Sequence, residues 1–262
     1  HISTRGRRAL AGAVSFCLAQ LLLALMPCNN GWAGADDLIF GKPDPFDRLL
    51  VRTGYTCGYS ASDRQPRWTS YVLTAAELTN AIVSRAGCAF RTDPTVPGVP
   101  ATPEDYLRSG YDRGHMAPAG DMKWDEMAMT ESFYLSNICP QNHNLNDGDW
   151  RLLEEKIRYW ARIHGELYIV CGPIVTENHK TIGYNKIAVP DSFYKVVLKT
   201  TDNEIESIGF IFKNVAGHKN LSSYVVSVDS VEQVTNIDFF HALPDSVENI
   251  VESTYSLDFW GL

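Results

Sequence analysis

The sequence predicts an α+β domain over residues 36–262, preceded by an N-terminal targeting segment at 1–35. Size is the first observation behind this prediction, because the roughly 227 residues that follow the targeting segment fit one domain. Pattern is the second, since segments rich in β-branched and aromatic residues alternate with segments of helical periodicity. Neither internal repeats nor a linker interrupts them, so we expect a single domain.

The strands and helices follow from these patterns in chain order. We predict strands at 49–59, 67–73, 166–171, 186–200, 205–213 and 223–228. We predict helices at 74–84, 124–134, 149–163 and 245–253. In the helix at 149–163, apolar residues at positions 150, 153, 157, 160 and 163 recur at spacings of three and four, which is typical of an amphipathic helix. Four prolines within 91–104 predict a long loop there.

Residues 1–35 have the features of a secretory signal. Basic residues within 5–8, an apolar stretch at 9–26 and small residues at 33–35 supply the start, the core and the cleavage site of such a signal. We therefore expect an exported protein, secreted or periplasmic, without stable membrane association once the segment is removed. A membrane anchor and a lipoprotein remain as alternatives, although the apolar stretch is borderline in length for an anchor and proline precedes Cys28.

The segment 111–118, Tyr-Asp-Arg-Gly-His-Met-Ala-Pro, carries the candidate chemistry. It places Asp112, Arg113 and His115 within four residues, around a glycine that admits close backbone approach. A neutral imidazole can take a proton from water, and a permanently charged guanidinium can hold phosphate oxygens. These residue types suit the attack of water on a phosphodiester. Taken alone, the four residues also fit a turn with a surface salt bridge.

Further polar residues follow this segment in a fixed order. Asn137 begins the run Asn-Ile-Cys-Pro-Gln, Asn146 follows that glutamine by five residues, and Glu154 lies eight residues further on. From Asp112 to Glu154 the chain closely resembles the DNA/RNA non-specific endonuclease family, the ββα-metal (His-Me finger) nucleases that include endonuclease G. The resemblance extends upstream to Arg52.

Downstream, the resemblance takes in residues 168–173, 189–195 and 235–240, so it covers nearly everything after residue 45. The family normally has glycine where this chain has Asn236, and asparagine tolerates the same left-handed backbone. The resemblance implies a central antiparallel sheet flanked by helices, with a ββα-metal active-site element on one face.

The resemblance also implies a metal-dependent reaction. His115 would be the general base that activates water. Asn146 would be the only direct protein ligand of a largely hydrated Mg²⁺, for which Mn²⁺ could substitute. The metal would neutralise charge at the scissile phosphate and supply an acidified water to the leaving 3′ oxygen. Glu154 would bind the waters of the metal.

The remaining site residues are assigned by the same resemblance. Arg52 and Arg113 match arginines that contact the phosphate, and Asn137 matches an asparagine near the histidine with a supporting role. The expected substrates are DNA and RNA, hydrolysed without regard to sugar or sequence, since we find no motif that reads bases. The alternatives are a catalytically silent nucleic-acid-binding protein on the same fold and a nuclease toxin of narrower range. An inhibitor protein and the oligomeric state cannot be read from the sequence.

Three residues near the expected site keep alternative interpretations. Asn146 could cap the helix that follows it, and Glu154 could be a solvated glutamate paired with Arg158 at i+4. On an ideal helix Asn146 and Glu154 differ by roughly 80° and about 12 Å of rise, which is too far for both to bind one ion directly. His143 is expected to be a polar loop histidine and not part of an HNH motif.

Charge and cysteine content complete the predictions. Removal of the three arginines of the targeting segment leaves 20 of the 23 basic residues against 31 acidic ones, which changes the net charge from −8 to −11. We therefore expect a local basic cleft on an acidic body, built from Arg52, Arg113, Lys123, Arg151 and Lys156.

Four cysteines remain after residue 35, and in an exported domain they would suggest up to two disulfides with three possible pairings. Cys139 and Cys171 fall within the segments that match the family, where they would instead be small buried residues. The favoured bridge is therefore Cys57–Cys88.

Overall fold

The computed structural model describes residues 36–200 and 204–262, so the targeting segment predicted at 1–35 lies outside the described residues. Within them, the strands are β1 Arg48–Val51, β2 Thr56–Ser60, β3 Gln65–Thr74, β4 Asp112–His115, β5 Ile138–Gln141, β6 Glu166–Ile174, β7 Thr181–Ile182, β8 Ile187–Ala188, β9 Ser192–Lys199, β10 Glu206–Lys213 and β11 Val225–Val226. The α-helices are α1 Ala75–Thr79, α2 Glu126–Ser132, α3 Arg151–His164, α4 Val228–Thr235, α5 Asp245–Ser253 and α6 Leu257–Trp260. None of these helices has the length and apolar character needed to cross a membrane.

Seven of the described strands form one sheet in the order β1-β2-β3-β6-β9-β10-β11, and every neighbouring pair in it is antiparallel. Two small antiparallel sheets pair β4 with β5 and β7 with β8. Helices cover both faces of the large sheet. The predicted α+β class, with a central antiparallel sheet flanked by helices, is confirmed.

Alternation of side chains along the central strands explains how both faces of the sheet are buried. Successive residues of a strand point to opposite faces. In β6, Ile169 and Cys171 belong to the apolar core that contains α3, whereas Tyr168 and Val170 belong to the core that contains α4 and α5. Full burial of one large apolar side chain contributes about 1.5–3 kcal/mol, so these two layers hold the helices against the sheet.

Several predicted elements differ from those observed because turns interrupt them. The strand predicted at 49–59 is two paired strands, β1 and β2, joined by a tight turn in which the Arg52 N–H donates to the Tyr55 carbonyl at 2.8 Å. The strand predicted at 186–200 is divided into β8 and β9 around Pro190, which has no N–H to donate to a neighbouring strand.

The C-terminal third contains a helix that the patterns do not predict. The strand predicted at 223–228 shrinks to the two residues of β11, and α4 begins at Val228. This helix ends at Thr235 and is followed by Asn236, which adopts left-handed backbone with φ 54° and ψ 39°. An asparagine therefore occupies here the conformation that favours glycine, as expected. The helix predicted at 245–253 is observed with the same bounds as α5.

The predicted disulfide between Cys57 and Cys88 is not formed, and the four described cysteines are free. Cys57 is buried in the core beneath α3, where its thiol lies 3.8 Å from the Ser136 carbonyl. Cys88 packs instead against a separate cluster that contains Phe133. Burial raises the pKa of the Cys171 thiol to about 12. Cys171, like Cys139, is a small buried residue.

The ββα element consists of β4, β5 and α3. β4 and β5 pair along their full length, and Cys139 of β5 shares its core with Leu153 of α3. A Cβ atom added to Gly114 would lie 2.2 Å from the Gln141 Oε1 atom, so only glycine permits this approach of the two strands. Pattern alone does not predict these strands, because each has four residues and includes a glycine or a proline.

Candidate active site

A cavity of about 490 Å³ opens beside the ββα element. Four of the six predicted site residues line it, namely Arg113, His115, Asn146 and Glu154. β4 supplies the first two, the turn before α3 supplies Asn146, and the first turn of α3 supplies Glu154. Residues that are separated along the sequence are thus brought together on one concave surface.

His115 stands at the end of β4 with its ring held between two phenylalanines. The ring centroid lies 5.2 Å from that of Phe90 and 5.0 Å from that of Phe133. Its Nε2 atom is buried and has no hydrogen-bond partner among the described residues. Burial, and to a lesser extent the charge of Arg85, lowers the pKa of the imidazole from 6.5 to about 3. The ring is therefore neutral at pH 7, and His115 lines the cavity.

Asn137 does not line the cavity, and it supports the backbone that follows His115. Its side chain is fully buried. The side-chain amide bonds both the N–H and the carbonyl of Ala117, each at 2.9 Å, and also donates to the Ser132 carbonyl at 3.0 Å. The backbone carbonyl of Asn137 accepts from the Met116 N–H at 3.0 Å. These bonds fix the chain directly after His115.

Asn146 lies on a wide helical turn, Leu145–Trp150, that precedes α3 and departs from helical backbone at Gly148. Its Nδ2 donates to Asp112 Oδ2 at 2.9 Å. Because the amide donates through its nitrogen, its oxygen points to the other side and is left to accept or to bind a cation. The same Asp112 oxygen contacts the exposed ring of His143 at 2.9 Å. His143 is thus the predicted loop histidine, and Asp112 is an orienting residue to which the sequence analysis assigned no role.

The alternative that Asn146 caps the following helix is wrong, and the helix assumed between Asn146 and Glu154 is not continuous. Asn146 does not cap α3, since the residue at the N-terminal boundary of that helix is Trp150 and the Asn146 amide is occupied by Asp112. The angle of roughly 80° between Asn146 and Glu154 assumed one continuous helix. In the structure, a wide turn with non-helical backbone at Gly148 lies between the two residues, and both line the same cavity.

Glu154 lines the cavity above a group of buried charges. The alternative that it pairs with Arg158 is wrong, since Arg158 forms its ion pair with Asp121 at 2.7 Å. Lys195 is completely buried, with its Nζ 4.3 Å from the centroid of the Trp150 ring. Burial raises the pKa of Glu154 to about 7, against the opposing effect of the Lys195 charge. A carboxyl with a pKa near 7 is partly protonated at neutral pH, so a cation beside it would strongly favour its ionised form.

Arginines from separate segments surround the cavity. Arg113 is held by ring faces, with its guanidinium carbon 5.3 Å from the Phe90 centroid and 5.9 Å from that of Tyr106. Arg85, Arg108 and Arg151 also line the cavity. The sequence analysis missed Arg85 and Arg108, because both lie in segments without a recognisable motif and only the fold brings them to the site.

Arg52 does not reach the cavity. Its guanidinium pairs with Asp93 at 2.6 Å, and both side chains are buried, with exposed fractions of 9% and 1%. Thr95 accepts a second bond from the same nitrogen at 2.6 Å. Lys123 and Lys156 likewise do not line the cavity. Of the five residues predicted for a basic cleft, only Arg113 and Arg151 are found there.

The oxygen donors of the cavity fit a hydrated divalent ion. They are the amide of Asn146 and the carboxylates of Asp112, Asp147 and Glu154. One group of three carboxylate, histidine or cysteine side chains among the described residues could together hold a metal ion, and it lies outside this cavity. An ion in the cavity would therefore not be enclosed by protein ligands alone. Few oxygen ligands with room for water are what Mg²⁺ prefers, whereas a zinc site would need histidine or cysteine ligands.

Comparisons with known proteins agree with this geometry. The family model for DNA/RNA non-specific endonucleases matches residues 34–246. The chain is 36% identical over 220 residues to the mitochondrial nuclease EXOG of Danio rerio, and the alignment covers 78% of this chain and 64% of the relative. It is 36% identical over 221 residues to nuclease C1 of Cunninghamella echinulata var. echinulata, which covers 79% of this chain and 88% of the relative.

A solved structure has the same fold. A chain in the crystal structure of the EndoG/EndoGI complex aligns with a TM-score of 0.76 and 28% identity, over 83% of this chain and 95% of that chain. The curated EXOG relatives are longer, since this chain spans 64% of the Danio rerio protein and 57% of the Xenopus laevis protein.

The expectation of export is wrong. The EXOG relatives from Danio rerio, Mus musculus and Homo sapiens are named as mitochondrial nucleases. Residues 1–35 contain arginines and neither aspartate nor glutamate, and mitochondrial transit segments are also rich in arginine and poor in acidic residues. The amino-acid composition of residues 1–35 therefore does not distinguish a secretory signal from a mitochondrial transit segment.

Proposed function

Because the chain belongs to the DNA/RNA non-specific endonuclease family, we propose that it hydrolyses phosphodiester bonds of DNA and RNA with a divalent metal ion bound at Asn146. The observation that carries this proposal is the neutral ring of His115, which shares one cavity with Asn146, Glu154 and several arginines. A proton acceptor, a cation site and phosphate-binding groups are the three parts that such a hydrolysis needs.

His115 acts as the general base. The ring is neutral and His115 lines the cavity, so the imidazole can accept a proton from a water that attacks phosphorus. A phosphate bound beside the ring brings negative charge, which raises the basicity of the imidazole at the moment when it is needed. Phe90 and Phe133 restrict the ring to one orientation, which lowers the entropic cost of the attack.

Arg113 holds the phosphate. Its guanidinium is fixed by Phe90 and Tyr106 and presents several N–H groups in one plane, which matches two phosphate oxygens. Arg85, Arg108 and Arg151 also line the cavity and would take neighbouring phosphates of the strand. Contacts of this kind address the backbone and not the bases, so the site accepts DNA and RNA of any sequence.

Asn146 and Glu154 would hold the metal, Asn146 directly and Glu154 through water. Bound Mg²⁺, or Mn²⁺ in its place, supplies positive charge for the transition state and acidifies water for the leaving group. Asp112 keeps the Asn146 oxygen turned outward, and Trp150 Nε1 donates to the His115 carbonyl at 3.3 Å, which ties the metal-binding turn to the base. Outer contacts of this type set the geometry of the groups that react.

We also infer a cellular location and a partner, which the names of the relatives support. The mitochondrial names of the EXOG relatives support the mitochondrion as the location of this chain, and protease protection of the tagged protein in isolated mitochondria tests it. The described mechanism of EndoG inhibition supports a protein inhibitor as a partner. Such an inhibitor would need to cover the arginines around the cavity.

The decisive experiment is a cleavage assay with purified protein on supercoiled plasmid, single-stranded DNA and RNA. We expect all three to be degraded with Mg²⁺ and none with EDTA. The His115→Ala variant serves as the control for contaminating nucleases. Binding of all three substrates without metal-dependent cleavage would instead identify a silent nucleic-acid-binding protein.

A further inference from the structure

A second cluster of acidic residues lies away from the cavity, between α4 and α5. Asp229 and Glu232 are three residues apart on α4 and therefore share one face of that helix. Glu252 is the penultimate residue of α5. One carboxylate oxygen from each of the three lies within 4.8 Å of the others. The two helices pack on the sheet face opposite α3, through Val231 and Val251.

Glu252 supplies an observation beyond proximity. Its side chain is only 4% exposed, and its Oε1 atom has no hydrogen-bond partner among the described residues. No lysine, arginine or histidine in the described part of the chain forms an ion pair with Glu252, Glu232 or Asp229. Glu232 is held in place because one of its oxygens accepts from the Phe239 N–H at 2.8 Å.

Three carboxylates at this spacing repel one another, and a buried unpaired oxygen adds a desolvation cost. Something positive must compensate them. Burial and the neighbouring carboxylates, Glu232 first among them, raise the pKa of Glu252 to about 9, so a proton is one form of compensation. A cation that binds all three oxygens is the other.

We propose that Asp229, Glu232 and Glu252 form a binding site for a hard divalent cation of the calcium class, separate from the catalytic cavity. Carboxylate oxygens are the ligands that such ions take. Ligands on opposite sides of one Ca²⁺ are roughly 5 Å apart, since each Ca–O distance is about 2.3–2.6 Å. The exposed position of Asp229 leaves room for waters to complete the shell.

The site has a structural effect, because its ligands come from two helices. A bound ion joins α4 to α5 and removes the repulsion between their acidic faces. The Ser207 hydroxyl of β10 donates to the Val251 carbonyl at 2.6 Å, directly before Glu252. The ion therefore stabilises the packing of both helices on β10.

The test measures calcium binding in the Asn146→Ala background, which removes the ligand proposed for the catalytic metal. Isothermal titration at pH 7.5 is expected to detect one Ca²⁺ site. Asp229→Asn and Glu252→Gln should each weaken the affinity at least tenfold, and the matched control Glu126→Gln, at an exposed position of α2, should not. With Ca²⁺ at 100 times its dissociation constant, the midpoint of thermal unfolding should rise by about 5–10 °C.

Sodium chloride at equal ionic strength controls for screening, and circular dichroism verifies that each variant is folded. Asp229 is exposed, so Asp229→Asn remains informative even if Glu252→Gln does not fold. The proposal is overturned if the folded Asn146→Ala protein binds no Ca²⁺, or if the variants of Asp229 and Glu252 bind it as tightly as the control. Neither result bears on cleavage of nucleic acid, so failure here is distinct from failure of the nuclease assignment.

Discussion

The side-chain amide of Asn137 forms a reciprocal pair with the backbone of Ala117. Its Oδ1 accepts from the Ala117 N–H and its Nδ2 donates to the Ala117 carbonyl, both at 2.9 Å. Ala117 follows His115 by two residues, so this pair fixes where the base stands. Asn137 does not line the cavity and acts through the backbone of Ala117, so it is a positioning residue.

Substitution of Asn137 by aspartate should make the protein sensitive to pH. An ionised carboxylate would face the carbonyls of Ala117 and Ser132, whereas a protonated one could still donate to one of them. We expect Asn137→Asp to have a lower thermal midpoint than Asn137→Ala at pH 8 and to recover at pH 5. Lower kcat with little change in KM would identify the positioning role, and identical behaviour of the two variants at both pH values would contradict it.

Removal of the base should affect turnover and spare binding. His115→Ala is expected to lower kcat by about 10²–10⁴, because general-base catalysis acts on the chemical step. Exogenous imidazole should restore part of the lost rate. His179→Ala is the matched control, since that half-buried histidine bonds the Thr176 carbonyl outside the cavity. A His115→Ala variant with half the normal rate would remove His115 from the mechanism.

Asp112→Ala should weaken metal binding although Asp112 is not a proposed ligand. Loss of the bond to Asn146 Nδ2 frees the amide to rotate, so the half-saturating Mg²⁺ concentration should rise by about 10–100-fold. Asn146→Ala should raise it further, and Glu154→Gln should give an increase similar to that of Asp112→Ala. The measurement is a Mg²⁺ titration of plasmid cleavage, and an unchanged half-saturation in Asn146→Ala would show that the ligand is misassigned.

Arg52 and Arg113 should behave in opposite ways. Arg52→Ala leaves the buried Asp93 without its cation and should lower the free energy of unfolding by about 3–5 kcal/mol, with kcat of the folded enzyme retained. Arg113→Ala should instead raise KM and reduce the slope of log activity against log salt by about one unit. Urea unfolding and salt-dependent cleavage separate the two. If Arg52→Ala instead loses as much activity as Arg113→Ala without a loss of stability, Arg52 contacts the phosphate after all.

The acidic cluster should make stability depend on pH. The pKa of Glu252 is raised in the folded protein from 4.5 to about 9, so the folded state retains a proton that the unfolded state loses. In EDTA, the contribution of Glu252 to stability should be complete below about pH 4.5 and lost progressively as pH rises towards 9. Glu252→Gln should remove this decline, which denaturant unfolding at pH 5, 7 and 9 would measure. A parallel decline in the variant would place its origin elsewhere.

Much of the site was predictable because its information is local. The Asp-Arg-Gly-His segment, Asn146 and Glu154 follow one another at short, fixed intervals, and the periodicity of α3 and α5 is contained within each helix. The α+β class likewise follows from patterns along single segments. For these features the sequence by itself was sufficient.

Tertiary structure alone decided which of these residues meet. Arg52 and Arg113 are both arginines of the matched family pattern, but packing buries one against Asp93 and presents the other to the cavity. Arg85 and Arg108 enter the site through loops that carry no motif. The wide turn at Leu145–Trp150 replaced the ideal helix that the spacing of Asn146 and Glu154 suggested. Burial and long-range pairing depend on contacts between distant segments, and sequence spacing does not encode the distances across which those contacts form.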